Sequence, residues 1–220
     1  MKTKIIGAAA IFTICFFLIS SCEKKNDDPN VLSGSQSPIG SVNNTFYTSV
    51  SGITNVNAKV TELNGGISKV TVSGTLTDST YKALMATIPN FTFGTYDPAS
   101  GAFTADVKMK FASDGIQDLA NTGGRTFTIV KYDAKVGDTY TCEKANGGTF
   151  TRTVTAVTNV DDFPYGFYLI KTITTEEPGR NPAINKVIYK TNHRFGLVAV
   201  GFELQDGSSF LINLYSSAEN

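Results

Sequence analysis

Beyond about residue 41 the chain alternates apolar and polar residues at period two, the pattern of half-buried strands. The clearest run sets Phe103, Ala105, Val107, Met109 and Phe111 on one face against Thr104, Asp106, Lys108 and Lys110 on the other. Val70, Val72 and Leu76 likewise face away from Lys69, Thr71, Ser73 and Thr75. Near the end, Val198, Val200, Phe202 and Leu204 form one stripe, and Phe210, Ile212 and Leu214 another. One-sided strands of this kind suit antiparallel sheets with a wet face. Asn64-Gly65-Gly66, Asn146-Gly147-Gly148 and Asp206-Gly207 fall between such runs and supply the positive φ of tight hairpins. One segment changes period. After Asp78-Ser79-Thr80, residues Tyr81, Leu84, Met85 and Ile88 recur at helical spacing until Pro89-Asn90 stops them, predicting a short amphipathic helix over about 79–88. Residues 113–120 suggest a further helical turn around Ile116 and Leu119. The expected fold is mainly β, an antiparallel β-sandwich or curled half-barrel sheet with one short helix.

The hairpin segments also resemble each other loosely. Ser68-Lys69-Val70-Thr71-Val72 parallels Phe150-Thr151-Arg152-Thr153-Val154, and Gly124-Arg125-Thr126-Phe127 parallels Gly207-Ser208-Ser209-Phe210. Two similar meanders, about 50–132 and 133–216, are one reading. The other is that any two Thr-rich hairpins look alike, since repeats require sustained periodicity.

The first residues follow a different pattern. Lys2 and Lys4 precede an almost wholly apolar stretch over residues 5–19, which ends in Ser20-Ser21-Cys22. A basic start, a short apolar run and small residues at a cut mark a secretory signal; spanning a bilayer takes roughly 20 apolar residues. Leu18-Ile19-Ser20-Ser21-Cys22 resembles the lipobox of bacterial lipoproteins. That resemblance implies cleavage between Ser21 and Cys22, diacylglycerol on the Cys22 thiol, and acylation (palmitate, for example) of the new amino terminus. An ordinary signal peptide followed by an unrelated cysteine is the alternative. Residues 23–41 are rich in Lys, Asn, Asp, Ser, Gly and Pro, the composition of a flexible tether. Expected organisation is therefore a signal over 1–21, a tether over 22–41 and one β-rich domain over 42–220. Glu23-Lys24-Lys25-Asn26-Asp27-Asp28 resembles the surface-export signals of Bacteroidota outer-membrane lipoproteins. A solvated tether on a periplasm-facing protein accounts for the same residues, so the face of the outer membrane stays open.

Loss of Lys2 and Lys4 with the signal leaves 17 of the 19 basic residues against 19 acidic ones. No basic patch stands out, which argues against nucleic acid as a partner. Of three cysteines, Cys15 leaves with the signal and Cys22 takes lipid. Cys142 has no partner within the mature chain, and its alternation with Tyr140 points to a buried thiol. The fold must therefore rely on its core, for which roughly 180 residues suffice.

Catalytic chemistry finds little support. His193 is the only histidine and lies in a turn-like Thr191-Asn192-His193-Arg194-Phe195; with one histidine and one mature cysteine the usual zinc sites are excluded. Asp161-Asp162 and Glu176-Glu177 lack the ligand spacing of a calcium loop. No catalytic, cofactor or metal residue is assigned, and an enzyme is the less favoured reading. Tyr165, Phe167 and Tyr168, beside Pro164 and Gly166, form an aromatic passage suited to a pocket wall or a sugar surface, or simply to a packed loop. Asp78-Ser79-Thr80 resembles a short O-glycosylation motif of Bacteroidota envelope proteins, and the same residues make a good helix cap. The expected function is that of a lipid-anchored envelope protein, bound to the membrane through its lipid. Its β domain binds an envelope lipid, glycan or protein, or serves structurally. The alternatives are a carboxylate-dependent hydrolase acting on glycan or peptidoglycan, and a subunit of a surface fibre, since some such precursors resemble pilins. The segment from Arg194-Phe195-Gly196-Leu197 through Asp206-Gly207 resembles, over about 35 residues, the curled half-barrels of lipoprotein carriers and chaperones; a lipid cavity follows only if the sheet curls around an apolar space.

Overall fold

The computed structural model describes residues 30–48, 50–86, 94–119, 124–144, 147–180 and 182–220. The lipidation and cleavage positions Ser21 and Cys22 lie outside the described residues, as do Ile88, Pro89 and Asn90 of the expected helix. The fold is mainly β, with a strongly curled half-barrel sheet and, among the described residues, one α-helix.

Chain order nearly dictates sheet order. Strands β1 (Thr45–Tyr47), β2 (Ile53–Asn64), β3 (Ile67–Leu76), β5 (Ala102–Ala112), β6 (Gly115–Asp118) and β7 (Phe127–Lys131) lie side by side as a meander, with β4 (Gly94–Tyr96) as an extra pairing on β5. A second meander runs through β8 (Thr139–Glu143), β9 (Thr149–Val157), β12 (Ile173–Pro178), β13 (Ile184–Asn192), β14 (Gly196–Leu204) and β15 (Ser209–Asn213). The hairpin of β10 (Phe163–Tyr165) and β11 (Tyr168–Ile170) stands apart, and β16 (Tyr215–Ser216) returns to pair with β1. Each half of the chain thus builds one sheet, and all strand pairs are antiparallel.

The hairpin signals are where the sequence puts them. Asn64 pairs with Ile67 across Gly65 and Gly66, which hold φ of 57° and 79°, angles costly for any residue with a Cβ. On β5, Thr104, Asp106 and Lys108 are exposed while Met109 and Phe111 are buried. Tyr140 and Cys142 are both buried on β8, and burial pushes the Cys142 thiol pKa up. Helix α1 (Ser79–Ala86) is capped by Asp78, whose Oδ1 accepts from the amides of Thr80 (2.7 Å) and Tyr81 (3.3 Å).

Three expectations need correction. Residues 113–119 do not form a helical turn: Ser113 and Asp114 make a hairpin bend, and Gly115–Asp118 is β6, buried on all four positions between β5 and β7. A strand covered on both faces shows no alternation, so Ile116 and Leu119 mimicked helical spacing. The stripe Val198–Leu204 is broken as well. Lys190 pairs with Ala199 but Thr191 with Leu197, so a bulge turns Val198 outward against Tyr165, Ile170 and Phe195, while Leu197 joins the main core. Finally, residues 30–41, expected within a flexible tether, belong to the ordered body. Leu32 and Ile39 are buried at 5% and 1% exposure, Ser37 N donates to Phe111 O, and a 3-10 turn occupies Pro38–Gly40. The few apolar residues in that polar segment are what dock it.

Candidate functional site: an apolar cavity closed by a buried arginine

Between the two sheets lies a cavity of about 530 Å³. Its wall is built from the inward stripes. Strand β5 contributes Phe103, Ala105, Val107, Met109 and Phe111, and β15 with its continuation contributes Phe210, Ile212 and Leu214. Register explains the free space. Val72 pairs with Ala58 on one side and Ala105 on the other, so a row of small side chains crosses the wall at mid-height. Below it Val60, Val70 and Val107 share a row, then Met109 and Phe111 follow. The facing sheet supplies Val200 and Phe202.

The two ends differ. Toward α1 the lining residues Ile53, Val56, Phe103, Phe202 and Phe210 are only half-buried. There the Tyr81 ring lies 5.0 Å from that of Phe210, which stacks on Phe202 at 5.1 Å. Helix α1 rests on this rim through Tyr81, Leu84 and Met85. At the other end Val70, Met109, Phe111 and Ile129 are buried. The cavity therefore opens at the α1 end and is blind at the other.

Arg152 closes the blind end. On β9 it occupies the inward stripe with Phe150 and Val154, and its side chain is 0% exposed. Every donor direction is used. Nε donates to Glu177 Oε2 at 2.9 Å, Nη1 to the carbonyls of Phe127 and Thr128 at 3.0 and 3.2 Å, and Nη2 to Asp118 Oδ2 at 2.5 Å and Tyr189 Oη at 3.2 Å. The guanidinium also lies 3.9 Å from the centre of the Phe127 ring. Phe127 and Thr128 belong to β7, the edge of the first sheet. Arg152 therefore caps carbonyls of that edge from the opposite sheet and fastens the two together. Burial opposes the guanidinium charge, yet Tyr189, Asp118 and Glu177 outweigh it and hold the pKa above its ordinary value. The Tyr189 hydroxyl donates to Glu177 Oε1 at 2.9 Å, and burial pushes its pKa up. Arg180 adds a second cation, 3.1 Å from Glu177 Oε2. Asp118 and Tyr189 are the only groups of this cluster that reach the cavity wall.

Comparison of the chain with protein-family models, curated proteins and solved structures finds no match.

The residues singled out in the sequence fall elsewhere. Tyr165 is buried away from the cavity, its hydroxyl accepting from Ser216 N at 3.1 Å and its ring against Phe195 and Tyr215. Phe167 is fully exposed at the tip of the β10–β11 hairpin, and Tyr168 is exposed beside Phe195. Tyr168 lines a second, shallow pocket with Asp161, His193 and Phe195, which Tyr165 and Phe167 do not reach. His193 is exposed on the β13–β14 turn. Glu176 pairs with Lys186 at 3.0 Å while its neighbour Glu177 turns inward to Arg152, so the two acids share no ligand position. Asp161 and Asp162 are exposed in the β9–β10 connection. Among the described residues no group of three His, Cys, Asp or Glu is placed to hold a metal ion, and no helix is long and apolar enough to cross a membrane. Sequence reasoning missed Arg152, Asp118, Glu177 and Tyr189. One signal was available: a lone arginine on an apolar stripe between Phe150 and Val154.

Proposed function

We propose that this chain is a lipid-anchored envelope protein whose β domain holds an apolar molecule between its two sheets. One observation carries the reading: the cavity of about 530 Å³, lined by aliphatic and aromatic side chains from both sheets and open at one end. Such a volume lies within the usual range for ligand sites, and an apolar space of this size left empty forfeits contacts along its whole lining. The two carboxylates nearest the cavity do not suit polymer hydrolysis. Asp118 and Glu177 are buried and engaged by Arg152, so neither is free to pass a proton to a bound glycan. The anchor rests on Leu18-Ile19-Ser20-Ser21-Cys22, and lipid chains of that kind hold a protein firmly when two or more are attached.

Extraction of the mature protein from its own membranes in mild detergent, followed by mass spectrometry under native conditions, should release a stoichiometric apolar molecule. A fluorescent apolar probe should bind the delipidated protein and be displaced by that molecule. A protein that carries nothing and binds no such probe sinks the proposal. The anchor is tested separately by labelling with radioactive palmitate, which Cys22→Ser should abolish.

A further inference from the structure

We infer that the occupant is a single unbranched acyl chain, taken end-on, with its methyl end against the Arg152 end and its polar head outside the α1 rim. The inference rests on the apolar-ligand reading and adds the shape and polarity of the ligand.

Shape comes first. The lining of β5 runs from Phe103 to Phe111, eight residue steps, or about 27 Å at the usual rise of a strand. Spread over about 27 Å of strand, the 530 Å³ leaves a passage about the width of one extended polymethylene chain. A sterol ring system or two parallel chains are wider than this. The narrow course has a structural source: the facing stripes approach from both sides, and only the Ala58–Val72–Ala105 row and the valines beneath it hold back.

Polarity fixes the direction. A head group at the blind end would have to compete for Asp118 or Tyr189, and both already bond within the Arg152 cluster, where nothing is left over to receive it. At the open end the lining residues are half-buried and solvent begins. The head therefore stays at the rim, beside Tyr81, Phe202 and Phe210, and its chemistry matters less than the length of the chain behind it.

The test is a competition series against a bound fluorescent fatty acid, using saturated fatty acids from C8 to C24. Each added methylene should tighten binding about fourfold until the chain reaches Phe111, after which the gain stops. Lysophosphatidylcholine of the same chain length should compete within about threefold of the free acid, because its head lies outside. Val107→Phe, placed halfway down the wall, should weaken C16 and C18 at least tenfold and leave C8 and C10 unchanged. If the variant proves unstable, the wild-type series still decides. A sterol or a diacyl phospholipid competing as well as C16 overturns the single-chain inference and leaves the apolar-ligand proposal standing. So does a length series with no plateau, or a lysolipid that fails where the free acid binds. Failure of every probe to bind overturns both.

Discussion

The cavity ends in two regions made by different means. The rim is aromatic and half-buried, and its side chains meet through apolar contact: Tyr81 lies against Phe210, which stacks on its strand partner Phe202. The blind end is polar, fully buried and held by directed bonds from one guanidinium to four elements of both sheets. Apolar contacts slide and reform at little cost, whereas a buried ion cluster has one good arrangement and is costly to open. The difference gives one molecule a fixed floor and a yielding entrance. It also solves a problem of construction. Along the cavity the two sheets lack the interlocking side chains that ordinarily join a sandwich; beyond it they share a core around Phe111, Ile129, Val154 and Leu197, and Arg152 adds directed bonds between them.

This contrast is open to attack in order of expected effect. Arg152→Met removes the buried cation that Asp118 and Glu177 share, leaving Glu177 to Arg180, and should cost about 3–5 kcal/mol, read as a lower midpoint in urea. Arg152→Lys should fall in the same direction, since a single ammonium cannot reach both acids and the β7 carbonyls together. If either variant is as stable as wild type, the cluster is not what joins the sheets.

Tyr189→Phe removes the bonds to Glu177 and Arg152 and should cost about 1–2 kcal/mol. Because burial holds the Tyr189 pKa above its ordinary 10.0, the folded state keeps the proton that the unfolded state releases. The corresponding stability is complete below pH about 10 and is lost as the pH climbs toward the folded value. Wild type should therefore lose stability as the pH rises above about 10, and Tyr189→Phe should lose less over the same rise in paired urea melts.

Phe210→Ala at the rim should cost only about 1 kcal/mol, because the ring is half-buried. Its larger consequence should be a faster release of bound probe in stopped-flow dissociation. A rim substitution that destabilised as much as Arg152→Met would erase the distinction between the two ends. Smallest of all, Phe167→Ser on the β10–β11 tip should change stability by no more than about 0.5 kcal/mol and leave probe binding untouched.

The outer parts of this architecture were readable in the chain and the inner parts were not, for a physical reason. Strand β5 was legible because Thr104, Asp106 and Lys108 meet water while Met109 and Phe111 do not. Strand β6 was illegible because Gln117 and Asp118 are as buried as Ile116. Gln117 is there to bond Thr128 and Asn30, and Asp118 to hold Arg152. The cavity was invisible for a subtler reason. Alternation tells which face of a strand turns inward, but not whether the inward faces touch. Phe103, Val107 and Phe210 would read the same in a solid core, and only Ala58 and Ala105, small residues in one row, hint at space. The aromatic passage Tyr165–Tyr168 failed as a guide because its residues split by depth: Tyr165 and its cross-strand partner Tyr168 share the face turned to Phe195, Tyr165 buried and Tyr168 at the exposed edge, while Phe167 sits in the turn.

The strand that returns to β1 has a consequence in time. Phe46 pairs with Ser216, Thr45 O accepts from Ser217 N at 2.9 Å, and Ser217 Oγ donates to Asn44 Oδ1 at 2.7 Å. These contacts span some 172 residues of chain, and closures over such separations are the slow steps of folding. This seam should be the last to form and the first to breathe. While it is open, both apolar stripes face water, and a ligand of the kind proposed would favour only the sealed state. Amide exchange at Phe46 should therefore slow as ligand is added, making the seam a clock for how long each occupant stays.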